Sequence, residues 1–187
     1  MSRAFGLQHI STGEIFRQEM NAHSELGMKI YDLMTSGSLV PDQIAIDVIQ
    51  GYLKTAQERC LLDGFPRSIS QAIFLHSYLS NSRERLDRLI VLDIPDDVIF
   101  ARAQKRRLSE RRPEDRSNEV LQKRLALFME ETTKAIDFYE DLGLVSHVDG
   151  SKSVDDVFEQ IRKSLQNGKS NNIGSKLEPH NSTFDGN

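Results

Sequence analysis

The sequence predicts an α/β fold built on a parallel sheet. Short apolar runs alternate along the chain with longer segments of helical periodicity, the order expected of a layered α/β domain. Hydrophobic residues make up 38% of the 187 and charged residues 28%, enough for a core and unlike any low-complexity or fully disordered chain. No run approaches the roughly 18–20 apolar residues of a membrane span. At about 100–200 residues per domain, the length predicts one domain.

The elements follow from local pattern. His9-Ile10-Ser11 reads as a short strand, Ser11 to Glu14 as a turn, and Ile15 to Met20 as a helix. Ser24 to Ser36 has helical periodicity, with Ile30, Leu33 and Met34 as its inner stripe, and Gly37 sits where a left-handed cap belongs. Pro41-Asp42 opens the next helix, whose apolar residues are Ile44, Ile46, Val48, Ile49 and Leu53. Cys60-Leu61-Leu62 and Leu89 to Ile94 suit buried strands, the second stopped by Pro95. Asp96 caps a helix over Val98 to Arg107, and the arginine-rich stretch Ser109 to Ser117 reads as a loop. Asn118 to Leu142 reads as one long helix containing Leu121, Leu125, Phe128, Met129, Ile136 and Tyr139. Val145 to Val148 is a last strand. Ser153 caps a final helix with Val154, Val157, Phe158, Ile161 and Leu165 turned to the core. From about Gln166 to Asn187 the composition is that of a disordered polar tail.

Charge and cysteine usage narrow the function. A net charge of −4 argues against sequence-independent nucleic-acid binding by the whole chain. The N-terminus lacks the apolar stretch of a secretory signal, and the single Cys60 cannot form an internal disulfide. Both fit a cytoplasmic protein with no membrane partner. The five histidines show no metal-ligand spacing, so no protein metal site is expected.

Three groups of residues could carry chemistry. Asp63-Gly64-Phe65-Pro66-Arg67 follows a strand, where open α/β sheets place their ligands. It is either a tight turn with solvated charges, or a site where Arg67 holds a phosphate and Asp63 orders a hydrated Mg²⁺. Ser68-Ile69-Ser70-Gln71 has capping-box spacing; Gln71 either serves the helix end or presents its amide to a base edge. Arg102, Arg106, Arg107, Arg111, Arg112, Arg116 and Arg124 cluster in one helix–loop–helix segment of an acidic chain. They form either a solvated face or an anion site, which arginine's planar donors suit better than lysine's point charge.

In this order the motifs resemble the adenylate kinase family, from about residue 5 to 165. His9 to Glu14 with Arg17 resembles its first nucleotide-binding turn. Ser38-Leu39-Val40-Pro41-Asp42 resembles its monophosphate-binding segment. Asp63 to Arg67 with Gln71 is the most specific match, and Val148 to Lys152 resembles the loop beside the adenine of ATP. The resemblance implies a P-loop nucleoside-monophosphate-kinase fold, with a helical monophosphate-binding segment at about 12–56 and a short lid at about 107–118. It implies AMP contacts at Thr12, Arg17, Ser38, Leu39, Val40, Gly64, Arg67 and Gln71. ATP contacts would fall at Arg102, Arg106 and Lys152. Catalytic roles would fall to Asp63, Arg67, Arg106, Arg112 and Arg124, with Mg²⁺ arriving on ATP. A monomer is the family default, and ATP, AMP and ADP would be the ligands.

Two departures qualify the resemblance. In the lid, Arg112-Pro113-Glu114-Asp115 fits the family's Arg-x-Asp-Asp loosely, and Arg116 rivals Arg112 for the lid role. At the front, the family's G-x-x-x-x-G-K-[ST] loop occurs nowhere in the sequence, which starts where the helix after that loop would end. The strand before the loop lies mid-sheet in the family, so without it unpaired strand edges are expected. The expectation is therefore a kinase, ATP + AMP to 2 ADP, with little activity in these 187 residues alone. The alternatives are an AMP-binding remnant without catalysis and a non-functional fragment.

Overall fold

The computed structural model describes residues 1–56, 59–110 and 117–170. The chain runs α1 (Ser2–Phe5), β1 (Gln8–Ser11), α2 (Thr12–Asn21), α3 (Glu25–Thr35), α4 (Asp42–Thr55), β2 (Cys60–Asp63) and α5 (Ile69–Asn81). It continues through β3 (Leu89–Asp93), α6 (Asp96–Glu110), α7 (Asn118–Leu127), α8 (Thr133–Asp141), β4 (Val145–Asp149) and α9 (Val154–Ser170). All pairing is parallel, as expected. Among the described residues it forms two pairs rather than one continuous sheet, β1 with β2 and β3 with β4.

Local chemistry sets most boundaries. Ser24 caps α3, its hydroxyl accepting from Gly27 N at 2.9 Å, and Ser117 does the same for Val120 N in α7. At the far end of α3, Ser38 N donates to Leu33 O and Gly37 N to Met34 O, with Gly37 at φ 75°. This paired closure needs a left-handed residue, which glycine adopts without a Cβ clash. Ser153 and Asp156 cap each other at the start of α9.

Several boundaries differ from expectation. Helix α2 begins at Thr12 with no intervening turn, because Ser11 ends β1 extended and Glu14 falls in the favourable first turn. Helix α6 continues through Ser109 and Glu110, and α9 through Ser170, past the expected helix end at Leu165. The expected long helix is broken by a wide π-type turn at Phe128–Thr132. The extra residue rotates the helical face, so Thr132, Ala135 and Tyr139 turn inward while Phe128 and Met129 stay 42% and 62% exposed. Val154, placed in the core by periodicity, is 85% exposed at the first position of α9.

The main core lies among β1, α2, α3, α4 and α5, around Ile10, Phe16, Ile30, Ile49, Phe65 and Leu75. A second cluster joins α5 to α8 through Ala72, Ala135 and Tyr139. Tyr139 is fully buried and donates its hydroxyl to Ala72 O at 3.1 Å; burial pushes its pKa up to about 12. Helices α2 and α3 cross at Gly27, where a Cβ would sit 2.1 Å from Glu19 O. No side-chain rearrangement relieves a clash with backbone, so Gly27→Ala is expected to cost about 1–3 kcal/mol or more. A denaturant titration checks this; an unchanged midpoint would mean the crossing is looser than described.

His147 ties β3, β4 and α8 together: Nδ1 meets Asp93 Oδ2 and Nε2 meets Glu140 Oε1, both at 3.0 Å. The hydrogen bonds to Glu140 and then Asp93 raise the imidazole pKa above its ordinary value. The protonated form is therefore favoured by folding. Its stabilisation is fully present below about pH 6.5 and fades as pH rises through the folded value. With all three side chains about half exposed, solvent screening limits the effect to under about 1 kcal/mol. Unfolding midpoints are expected to fall from pH 6 to pH 8.5 in the wild type and to fall less in His147→Gln. Identical pH profiles for the two would rule the bridge out.

Candidate nucleotide-binding site

Strands β1 and β2 end side by side, with Ser11 paired to Asp63. The next residue on each strand therefore meets its counterpart. Thr12 is 4% exposed, and its hydroxyl lies 3.0 Å from Gly64 O and 3.3 Å from Asp63 O. Gly64 turns the chain back at φ 79°. A Cβ there would stand 2.8 Å from Thr12 Oγ1 and 3.0 Å from Arg67 Nη2. Arg67 Nε donates to Gly64 O at 2.9 Å, folding the guanidinium over the turn.

The main chain of Arg67 is held on both sides. Its N–H donates to Gln71 Oε1 at 2.8 Å, and its carbonyl accepts from Thr132 Oγ1 at 3.0 Å. Gln71 is 3% exposed. The expected capping box would have sent its side chain to the N–H of Ser68; it reaches one residue further, to Arg67. Ser68 itself caps α5 by accepting from Gln71 N at 3.3 Å. Asp42, the first residue of α4, accepts from Ser68 Oγ and from Gln71 Nε2, each at 2.8 Å.

These groups surround a cavity of about 290 Å³ at the C-terminal ends of β1 and β2. Of the expected residues, Thr12, Arg17, Ser38, Leu39, Val40, Asp63, Gly64, Arg67, Gln71 and Arg124 all line it. Helix α7 reaches the rim: Lys123 Nζ donates to Ser38 Oγ at 2.8 Å, and Val120 O lies against Gly37. Three arginines, Arg17, Arg67 and Arg124, share this lining with Glu14 and Asp63. Asp63 also meets His9 Nε2 at 3.3 Å.

A second cavity of about 940 Å³ shares Arg67 and Arg124 with the first and adds Arg106. Consecutive residues Val91, Leu92 and Asp93 line it. On β4 it is lined by His147 and Asp149, the register partners of Val91 and Asp93, so it spans the ends of both strands. Its lining mixes apolar side chains, Leu125, Phe128 and Ile136, with Asp137, Glu140 and His147.

Two expected residues line neither cavity. Arg102 lies across from the loop after β4, its Nη2 at 3.5 Å from Ser151 O, and Lys152 pairs with Asp149 at 3.6 Å. Asp149 accepts from Ser151 N and Oγ, which hold its carboxyl below the usual carboxylate range. Arg112 and Arg116 lie outside the described residues. Among the described residues no three His, Cys, Asp or Glu side chains converge as a metal cage would require, and no helix is long and apolar enough to cross a membrane.

The sequence placed Asp42 in the monophosphate-binding segment but with no bond to Gln71, and it assigned Thr132 no part in the site. Thr132 faces Arg67 only because of the π-type turn, which leaves no simple periodic signal.

α/β proteins place their ligands in cavities at strand C-termini, and the arginines lining both cavities here offer donors suited to anions. Comparison with known proteins carries this further: the adenylate kinase family matches residues 1–144, and the chain belongs to that family. It is 35% identical over 163 residues to an adenylate kinase of Prochlorococcus marinus (strain NATL2A), covering 87% of each chain. It is 38% identical over 163 residues to one from Xanthomonas oryzae pv. oryzae (strain MAFF 311018), covering 86% of this chain and 87% of the relative. A third, from Clostridium botulinum (strain Eklund 17B / Type B), is 32% identical over 195 residues, covering 88% and 90%.

The turn at Gly64 gives a direct check on this geometry. Gly64→Ala combines an unfavourable backbone angle with a Cβ driven against Thr12 Oγ1, and a loss of about 1–3 kcal/mol is expected in a denaturant titration. A fully stable variant would mean that β1 and β2 do not end in contact.

Proposed function

We propose that the protein is a nucleoside monophosphate kinase that transfers the γ-phosphoryl group of ATP to AMP, giving two ADP. What supports this reading most is that every residue expected to touch AMP lines the one cavity at the ends of β1 and β2. AMP would take its phosphate to Arg17 and Arg67, its ribose and base to Ser38, Leu39 and Val40, and its base edge to Gln71. Thr12 and Gly64 would shape the floor. ATP would occupy the larger cavity; Arg102 and Lys152, which lie outside its lining, would reach ATP from beside the loop after β4, Lys152 at its adenine. Residues at about 12–56 would act as the monophosphate-binding segment and those at about 107–118, with Arg112, as a short lid.

Phosphoryl transfer needs positioning and charge neutralisation more than covalent help from the protein. An AMP phosphate oxygen forms the new bond to the γ-phosphorus while the bond to the β–γ bridging oxygen breaks, and that oxygen's electrons stay on ADP. Arg67 and Arg124 line both cavities, so they stand where the two phosphate groups would meet. Arg106 would approach from the ATP side. Asp63 would order the waters of the Mg²⁺ that enters with ATP.

The family's glycine-rich phosphate loop is not among these 187 residues. Loss of a single donor to a developing charge costs about 10²–10³-fold in comparable sites. Calorimetry on the folded 187-residue chain is therefore expected to show AMP binding. A coupled assay is expected to show ADP formation at least about 100-fold slower than in a loop-bearing relative. A monodisperse, cooperatively melting sample that binds no AMP would refute the assignment of the cavity.

A further inference from the structure

Asp42 belongs to no expected set of ligand contacts, yet its Oδ1 accepts from the side-chain amide of Gln71 and so ties α4 to it. We propose that Asp42 is a positioning residue: it locks the Gln71 amide in one of its two orientations, and this selects bases that carry an amino group beside a ring nitrogen acceptor. The proposal rests on the AMP cavity assigned above.

Hydrogen-bond chemistry fixes the lock. A carboxylate only accepts, so the group facing Asp42 Oδ1 at 2.8 Å must be the amide nitrogen. A backbone N–H only donates, so the group facing Arg67 N at 2.8 Å must be the amide oxygen. Turning the amide over would set its oxygen against the carboxylate and its NH₂ against the Arg67 N–H. Both contacts would then be repulsive in a place where Gln71 is 3% exposed and water cannot relieve them. The second carboxylate oxygen accepts from Ser68 Oγ, and Ser68 accepts from Gln71 N. The ring of bonds closes on itself, so Asp42 cannot turn away without stripping the buried Ser68 hydroxyl proton of its acceptor.

The locked amide keeps one N–H and one oxygen lone pair beyond those two bonds. Gln71 lines the cavity, so these are the groups offered to a ligand there. They match the N1 acceptor and the 6-amino donor of adenine. A 6-oxo purine presents the opposite pattern, an N1–H donor and an O6 acceptor, and meets donor with donor and acceptor with acceptor. Sites built around such a bond reject the mismatched analogue by large factors, because buried groups are left unpaired. Asp42 thereby reads base identity without touching the base.

The test compares AMP with IMP, which has the same ribose, phosphate and purine shape but reversed hydrogen-bonding at that edge. Calorimetry on the wild-type chain is expected to give AMP at least about 100-fold tighter than IMP. In Asp42→Asn the side-chain amide can present either face to Gln71, one of the two penalties for turning over is removed, and the AMP/IMP ratio is expected to fall about tenfold or more. A merely structural role for Asp42 would weaken both ligands together and leave the ratio unchanged, which would overturn the proposal. So would a wild-type ratio near one, a result that needs no variant and stands even if Asp42→Asn fails to fold. Failure of both ligands to bind the folded wild type is a different outcome: it removes the AMP cavity itself and the proposal with it.

Discussion

The candidate site depends on where two parallel strands stop. Ser11 and Asp63 are partners in register, so β1 and β2 release the chain at the same level. One strand continues straight into α2, and the other turns sharply at Gly64. Thr12 and Gly64 then meet at 3.0 Å, and the cavity opens directly above them. Shift that register by one residue and the side chains of β2 exchange faces. Leu62 would leave the core, and Asp63 would leave the rim.

Around that floor, polar groups from distant parts of the chain hold one another. Asp42 brings the start of α4 to the start of α5, and Thr132 brings the π-type turn to the carbonyl of Arg67. The backbone of Arg67 is thereby anchored while its side chain lies over Gly64. Fixed donors of this kind need little reorganisation when an anion arrives, which is what makes them effective at phosphate groups. The same arrangement explains why Arg67 and Arg124 can serve both cavities: they lie on the wall between them.

Much of this was legible in the sequence, where the chemistry is local. Gly64 and Arg67 stand in a short motif after an apolar run, and Gly37 follows a periodic segment, so each could be read from its neighbours. Ten of the expected ligand and catalytic residues fall on one cavity; Thr12, Gly64 and Arg67 do so because they follow the ends of β1 and β2, where parallel sheets gather their loops. The rest was hidden for physical reasons. The π-type turn inserts one residue into what reads as a single helix over Asn118 to Leu142, so the inward turn of Thr132 leaves no periodic signal. Asp42 reads as the opening of α4 and the end of the Ser38 to Asp42 segment; its bond to Gln71, 29 residues away, is tertiary and has no local signal. The division of the strands into two pairs left no mark in the periodicity of any single strand.

The most direct measurement is a nuclear magnetic resonance titration of the ¹⁵N-labelled chain with AMP. The account predicts shifts concentrated at Thr12, at Ser38 to Val40, at Gly64 and Arg67, and at the side-chain NH₂ of Gln71, with β3 and β4 little changed. Saturable shifts elsewhere that leave the Gln71 amide untouched would contradict it.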